Sequence, residues 1–331
     1  VTTYTSGRID ITARALTGVH HGASTAGNKQ ILRTEKVILD DGGTALVPFV
    51  SGNSLKHMIR DGAVRFALDV MAVPDASLSK QVVDLLFSGG HLSKGGQAVR
   101  LDKARQIERL FPALSMLGYS AGNFMTGSKL AVDSLHLVCR ENRFRLPEHL
   151  QDHPHTKLDA WAFRDKAFGT RHEATRTPRV ARMLVADDVA SQETALAKKA
   201  GPKKVEGSSQ MIYEFQVLKP GSLFWGTIRF RDLTEHELSA LQSGLSYACQ
   251  GKLGPKGFIF SVGAKSAIGY GQTSWEMSGS VRHVSVPDLE PSDALVPVAG
   301  NREEIEGAVS GYVEHLRSSR EDILQKLEEV A

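Results

Sequence analysis

The chain has 331 residues, 41% hydrophobic and 23% charged, with a net charge of +3 and a pI near 8.8, values of a globular protein with room for one large domain or two. Its two cysteines, Cys139 and Cys249, exclude a disulfide framework and fit a reducing, cytoplasmic setting. No run is long and apolar enough to span a bilayer, no signal peptide is read at the start, and the mildly basic balance is only a weak pointer to nucleic acid.

Residues 3–16 alternate, with Tyr4, Ile9, Ile11, Ala13 and Ala15 among polar neighbours, which predicts a first strand. It runs into a glycine-bounded loop, Thr17-Gly18-Val19-His20-His21-Gly22-Ala23-Ser24. Segments 37–39 and 45–50 read as a hairpin around Asp40-Asp41-Gly42-Gly43. Leu55, Met58, Ile59, Ala63, Phe66, Ala67 and Val70 then recur at helical spacing, an amphipathic helix with one buried face. From 72 to about 210 the pattern loosens. Segments 82–87 and 102–111 are short helices, 114–122 is small and apolar, 130–139 alternates as a strand, and 198–204 reads as a flexible basic loop. Insertions, rather than a second regular core, are expected here.

Regularity returns at Met211. Segments 211–218 and 223–231 read as two strands joined by the turn Lys219-Pro220-Gly221-Ser222. Thr234 and Glu237 form a capping box for a helix that buries Leu238, Leu241, Leu245 and Ala248. An apolar run at 258–262, a glycine-rich loop at 263–271 and a last strand from 272 follow. Asn301 with Glu304 makes a second capping box, and the closing helix carries Ile305, Val309, Val313, Leu316, Ile323, Leu327 and Val330 on one face. The regular parts give strand, helix, strand, strand, helix, strand. That is an α+β chain in the βαββαβ order of the ferredoxin-like fold, which includes the RNA-recognition-motif (RRM-like) topology.

Two stretches carry candidate chemistry. Val47-Pro48-Phe49-Val50-Ser51-Gly52-Asn53-Ser54-Leu55-Lys56-His57-Met58-Ile59-Arg60 reads as strand end, turn and helix start. Ser51, Asn53 and Ser54 are good capping types, a helix N-terminus offers unpaired N–H groups, and Lys56 and Arg60 add cations, so the site suits a phosphate. The plainer reading is an ordinary capped helix with a solvated basic face. Gly263-Ala264-Lys265-Ser266-Ala267-Ile268-Gly269-Tyr270-Gly271 allows close backbone approach and offers a lysine and a hydroxyl. It is neither a Walker A motif nor G-x-G-x-x-G, and a turn before an edge strand explains it equally. Charge is also uneven. Arg164, Lys166, Arg171, Arg176, Arg179 and Arg182 give residues 164–182 a net +4, whereas 301–331 carry −4. The two regions suit a head-to-tail contact between copies, or are two solvated surfaces.

In this order, the two stretches resemble the CRISPR-associated RAMP superfamily. Residues 48–56 look like its "P-x-x-S/G-x-S-L-K/R-x-x-x-R" helix start, 263–271 like its glycine-rich signature loop, and 219–226 with 233–238 like its central hairpin and second helix. The resemblance covers roughly 1–70 and 211–286. It implies a backbone subunit of a multi-protein effector complex: a discontinuous RRM-like palm (1–72 and 211–290), a finger-like insertion (73–152), a basic thumb-like insertion (153–210) and a C-terminal linker with an amphipathic helix (291–331). Such subunits stack head to tail along a guide RNA and present it to a target nucleic acid beside other effector subunits. The resemblance implies RNA contacts by Ser51, Asn53, Ser54, Lys56, His57 and Arg60, by His20 and His21, by Lys265, Ser266, Gly269, Tyr270 and Gly271, and by the arginines and lysine of 164–182. Segments 86–90 and 114–123 look most like type IV subunits. Type III relatives carry a catalytic aspartate in the loop after the first strand; here residues 22–34 hold no carboxylate, so no metal-assisted cleavage and no cofactor are expected.

Other readings remain. His20 and His21 invite a metal-independent RNA endonuclease, although neighbours leaving a strand point oppositely. His153-Pro154-His155 lacks partners for zinc. Trp161, Phe163 and Phe168 fit either base stacking or anchoring of a thumb. A protein-only scaffold is the third possibility.

Overall fold

Strand β1 (Thr2–Ala15) runs through the middle of the main sheet because it can pair along both edges. Ile9, Ile11, Ala13 and Ala15 face the core at 2% exposure or less, while Arg8, Asp10, Thr12 and Arg14 face the other way. The computed structural model describes residues 2–26, 29–90, 101–121, 124–171, 211–249, 253–254, 257–286, 291–294 and 302–331. After β1 come β2 (Gly22–Ala26), β3 (Lys29–Leu32), β4 (Thr34–Ile38), β5 (Thr44–Val50), helices α1 (Gly52–Val70), α2 (Lys80–Ser88), α3 (Leu101–Leu110) and α4 (Pro112–Leu117), and the small pair β6 (Ser120–Ala121) and β7 (Phe124–Met125). Then follow β8 (Leu130–Val132), β9 (Leu135–Leu137), β10 (Arg164–Arg171), β11 (Met211–Leu218), β12 (Leu223–Leu233), a helix at Glu235–Ala248, β13 (Leu253–Gly254), β14 (Gly257–Ser261), β15 (Gln272–Val286), β16 (Pro291–Ala294) and helices at Arg302–Ser318 and Arg320–Val330.

The main sheet runs β13-β14-β15-β1-β12-β9-β5-β4, with β16 on β15 and β8 on β12, antiparallel throughout. α1 and the Glu235–Ala248 helix cover one face. They cross at glycines: a Cβ on Gly62 would lie 2.2 Å from the Gly244 carbonyl oxygen, so backbone meets backbone. The capping box of Thr234 and Glu237 forms as read. Asn301 of the second one lies outside the described residues, as do the loop at 198–204 and Arg176, Arg179 and Arg182. The closing helix breaks at Ser319 into two.

The fold is the α+β arrangement expected, with one substitution of parts. Strands β15, β1, β12 and β8–β9 with the two covering helices make the βαββαβ unit, so its second strand is Leu130–Leu137. Met211–Leu218, read above as that strand, instead pairs with β10 and, in parallel, with β3 in a second sheet, β10-β11-β3-β2. The Pro220-Gly221 turn is therefore no hairpin. It carries the chain from one sheet to the other, with Gly221 N–H donating to the Ala15 carbonyl at 2.7 Å.

Arg60 departs from its expected role for a plain reason. It is 8% exposed, and its guanidinium donates to the carbonyls of Leu86 (3.4 Å), Leu117 (3.2 Å) and Gly118 (2.7 Å). It braces the C-terminal ends of α2 and α4 against α1, where a cation meets the negative ends of both helices. In Arg60→Met these carbonyls lose their donor, at about 1–3 kcal/mol for each left unsatisfied. Urea unfolding of that variant is expected to show a loss of at least about 2 kcal/mol, and an unchanged midpoint would show that water replaces the guanidinium.

Candidate functional site

The start of α1 is more fully occupied than its sequence suggests. Ser51 caps it, its Oγ accepting from the Ser54 N–H at 3.3 Å. The Gly52 N–H donates to Ser134 Oγ at 3.2 Å. A Cβ on Gly52 would lie 2.1 Å from the Val132 carbonyl oxygen, so only glycine lets the β8–β9 turn come this close. Among the first three N–H groups this leaves that of Asn53 for a ligand. Beside it, Asn53, Lys56 and His57 share one face at spacings of three and four, Asn53 and His57 exposed and Lys56 half-buried. Burial, and then the Arg60 charge, lower the Lys56 pKa from its ordinary value. A polar cleft of ≈ 420 Å³ adjoins, lined by Ser51, Gly52, Asn53, Asp133, Ser134 and His136. Its carboxylate is engaged: Asp133 accepts from the Thr227 hydroxyl and pairs with Arg229 at 2.9 Å.

The glycine-rich segment forms an exposed loop around a short turn, Ser266–Ile268, between Lys265 and Gly269, both in the left-handed region. Lys265 Nζ sits 4.7 Å from the Tyr213 ring centre and 4.4 Å from that of Phe215, a cation–π arrangement that holds the ammonium over an aromatic base. Tyr270 packs edge-on to Phe215 at 5.0 Å. Ser266 and Gly269 are exposed, whereas Gly271 is buried against Val262.

The loop leaving β1 joins these two places. His20 is 3% exposed; its Nδ1–H donates to the Gln216 carbonyl at 2.6 Å, and its own carbonyl accepts from the Ala264 N–H at 2.7 Å. His21 Nε2 accepts from the Ser51 N–H at 3.2 Å, and its carbonyl accepts from the Arg33 N–H at 2.7 Å. A carbonyl can only accept and an amide N–H can only donate, so both rings carry their proton on Nδ1. Burial, then the charges of Arg33 and His20, pull the His21 pKa down to about 4. Burial also lowers that of His20, offset by the Gln216 bond and reinforced by Lys265. Burial thus favours the neutral form of both rings. His20 is thus a buried structural residue rather than the surface contact expected of it.

Other expected residues are dispersed. Arg164 Nη2 donates to the Leu46 carbonyl at 2.6 Å and its guanidinium lies 4.1 Å over the Trp161 ring. Lys166 pairs with Glu214 at 3.2 Å, and Arg171 ends β10. Phe163 is buried, while Trp161 and Phe168 are 66% and 64% exposed. His153 and His155 meet edge to face at 4.5 Å, and no group of three or more metal-ligating side chains gathers among the described residues. Sequence reasoning passed over Tyr213, Phe215, Gln216 and Ser134. The one signal was the alternation of Tyr213, Phe215 and Val217, which marks a buried strand face without saying what lies on it.

The fold is similar to that of a chain in a solved Type IV-B CRISPR complex, with a TM-score of 0.52 and 17% identity over 88% of this chain and 94% of that one. Csc2 of Thermofilum pendens, known from a crystal structure, aligns over 98% of this chain and 86% of its own with 14% identity and a TM-score of 0.37. No family model and no curated protein matches the sequence. At this identity the first likeness is one of fold.

The depressed His21 pKa has a consequence for stability. The unfolded chain takes up the proton near pH 6.5, whereas the folded state takes it up only near pH 4, so stability falls as pH drops through that window. In His21→Gln, which keeps the acceptor, urea midpoints measured from pH 7 to 4.5 are expected to fall less steeply than in the wild type. Parallel curves would show that His21 titrates normally in the folded protein.

Proposed function

We propose that this chain is a backbone subunit of a type IV-like CRISPR ribonucleoprotein effector complex, a non-catalytic protein that assembles along a guide RNA and holds its phosphates. The observation that carries the reading is the joining of the α1 start and the glycine-rich loop through one short loop, on a fold shared with a chain of a CRISPR complex. Asn53, Lys56 and His57 on one side, and Lys265 and Ser266 on the other, supply neutral donors and cations. Such contacts fix the path of a strand and leave sequence to base pairing. In this reading the partners are guide RNA, its paired target, further copies of the chain and other effector subunits, in the cytoplasm. In this reading Leu130–Leu137 joins 1–72 and 211–290 in the palm, which divides the finger-like insertion of 73–152 around that strand, and the thumb-like insertion keeps 153–210. The absence of a carboxylate in residues 22–34 supports a holding rather than a cutting role.

The test is binding of a labelled guide RNA across a salt series, with and without Mg²⁺, followed by a denaturing gel. Affinity is expected to fall steeply with salt while the RNA stays intact. Lys56→Ala and Lys265→Ala should each flatten the log–log slope by about 0.7. Cleaved RNA would replace this reading with a nuclease, the Mg²⁺ lanes separating metal from histidine chemistry. Filaments without RNA binding would leave a protein scaffold.

A further inference from the structure

We infer that His20 and His21 are positioning residues, each setting one half of the candidate surface: His21 the start of α1, His20 the glycine-rich loop. The inference concerns the surface proposed above to hold RNA, and rests on that reading only where binding is measured.

The two side chains point to opposite sides, as neighbours in extended backbone do. Each ring is used at a different atom. His21 presents the unprotonated Nε2 to the Ser51 N–H, at the residue that caps α1. His20 presents Nδ1–H to the Gln216 carbonyl, which fastens it to the strand bearing Phe215, the ring beneath Lys265. Its carbonyl then takes the Ala264 N–H, one residue before Lys265. A Cβ on Gly263 would lie 2.4 Å from that carbonyl oxygen, so the loop reaches His20 only because glycine stands there. The connecting backbone has little freedom, since Val19 exchanges hydrogen bonds with Leu218, Gly18 accepts from Gly271, and His21 accepts from Arg33. The charges facing the pair are cationic, Lys265 toward His20 and Arg33 toward His21. Neutral rings therefore suit both places. Through Nε2, His21 could grip RNA only by releasing Ser51.

The chemistry names the variants that separate the roles. Gln places an oxygen acceptor near the position of histidine Nε2, so His21→Gln keeps the Ser51 bond. Asn places an N–H donor near the position of Nδ1, so His20→Asn keeps the Gln216 bond. In the RNA-free protein, amide hydrogen exchange at Ser51 and Ala264 is followed by NMR. His21→Ala is expected to speed exchange at Ser51 about tenfold, the worth of one hydrogen bond, and to leave Ala264 unchanged. His20→Ala should do the reverse, and the Gln and Asn variants should return to near wild-type rates. Binding then gives the second readout. His21→Ala should be non-additive with Lys56→Ala and additive with Lys265→Ala, and His20→Ala the opposite. Equal acceleration at both amides, or no change at Ser51 in His21→Ala, overturns the inference. If the wild type binds no RNA, the proposed function falls, and the exchange rates alone still decide the positioning roles.

Discussion

Backbone groups in the few residues after β1 must find partners on three sides at once, and the candidate surface is laid out by how they do so. Leu16 donates to Gln272, Val19 pairs with Leu218, Gly18 accepts from Gly271, His20 from Ala264 and His21 from Arg33. Val19 and His20 are buried, and a buried loop with unpaired N–H or C=O groups would be costly. Each bond therefore draws a neighbouring segment in: the end of β11, the glycine-rich loop and the entry to β4. The second sheet matters for the same reason. By leaving the main sheet, β11 brings Phe215 under both His20 and Lys265.

The cations divide between bracing and display. Lys56 and Arg60 lie four apart on one helix, yet the longer, forked side chain turns inward to three carbonyls and the lysine stays at the half-buried surface. A guanidinium suits the first role because it has five donors in a fixed plane and cannot lose its charge at neutral pH. The start of α1 follows the same economy. Ser51 and Ser134 take the N–H groups of Ser54 and Gly52, so what this helix start still offers is the Asn53 N–H and the side chains of Asn53, Lys56 and His57.

The glycine-rich loop works by a different means. Its ammonium is steadied by aromatic faces rather than by carboxylates, which leaves its positive charge unneutralised while its position is fixed. The two halves of the surface thus hold cations without nearby carboxylate partners to Lys56 or Lys265 among the described residues.

Local signals in the chain determined much of this. Alternation located β1, the turn at 219–222 and the glycine-rich loop set off β12 and β15, the 3.6-residue period located α1 and the Glu235–Ala248 helix, and the residue types at Ser51, Thr234 and Glu237 marked their caps, because these features depend on near neighbours in the chain. The two candidate stretches were legible for the same reason. Pairing was not. Leu130–Leu137 and Met211–Leu218 both alternate, and nothing in either says which sheet edge will accept it. Nor does the spacing of Lys56 and Arg60 tell which one will be enclosed by α2 and α4. Tertiary structure alone decided these matters, together with the two faces of the histidine pair. The reason is distance along the chain: His20 meets Gln216 across 196 positions and Arg60 meets Gly118 across 58, so the contacts exist only once the sheets and helices have packed.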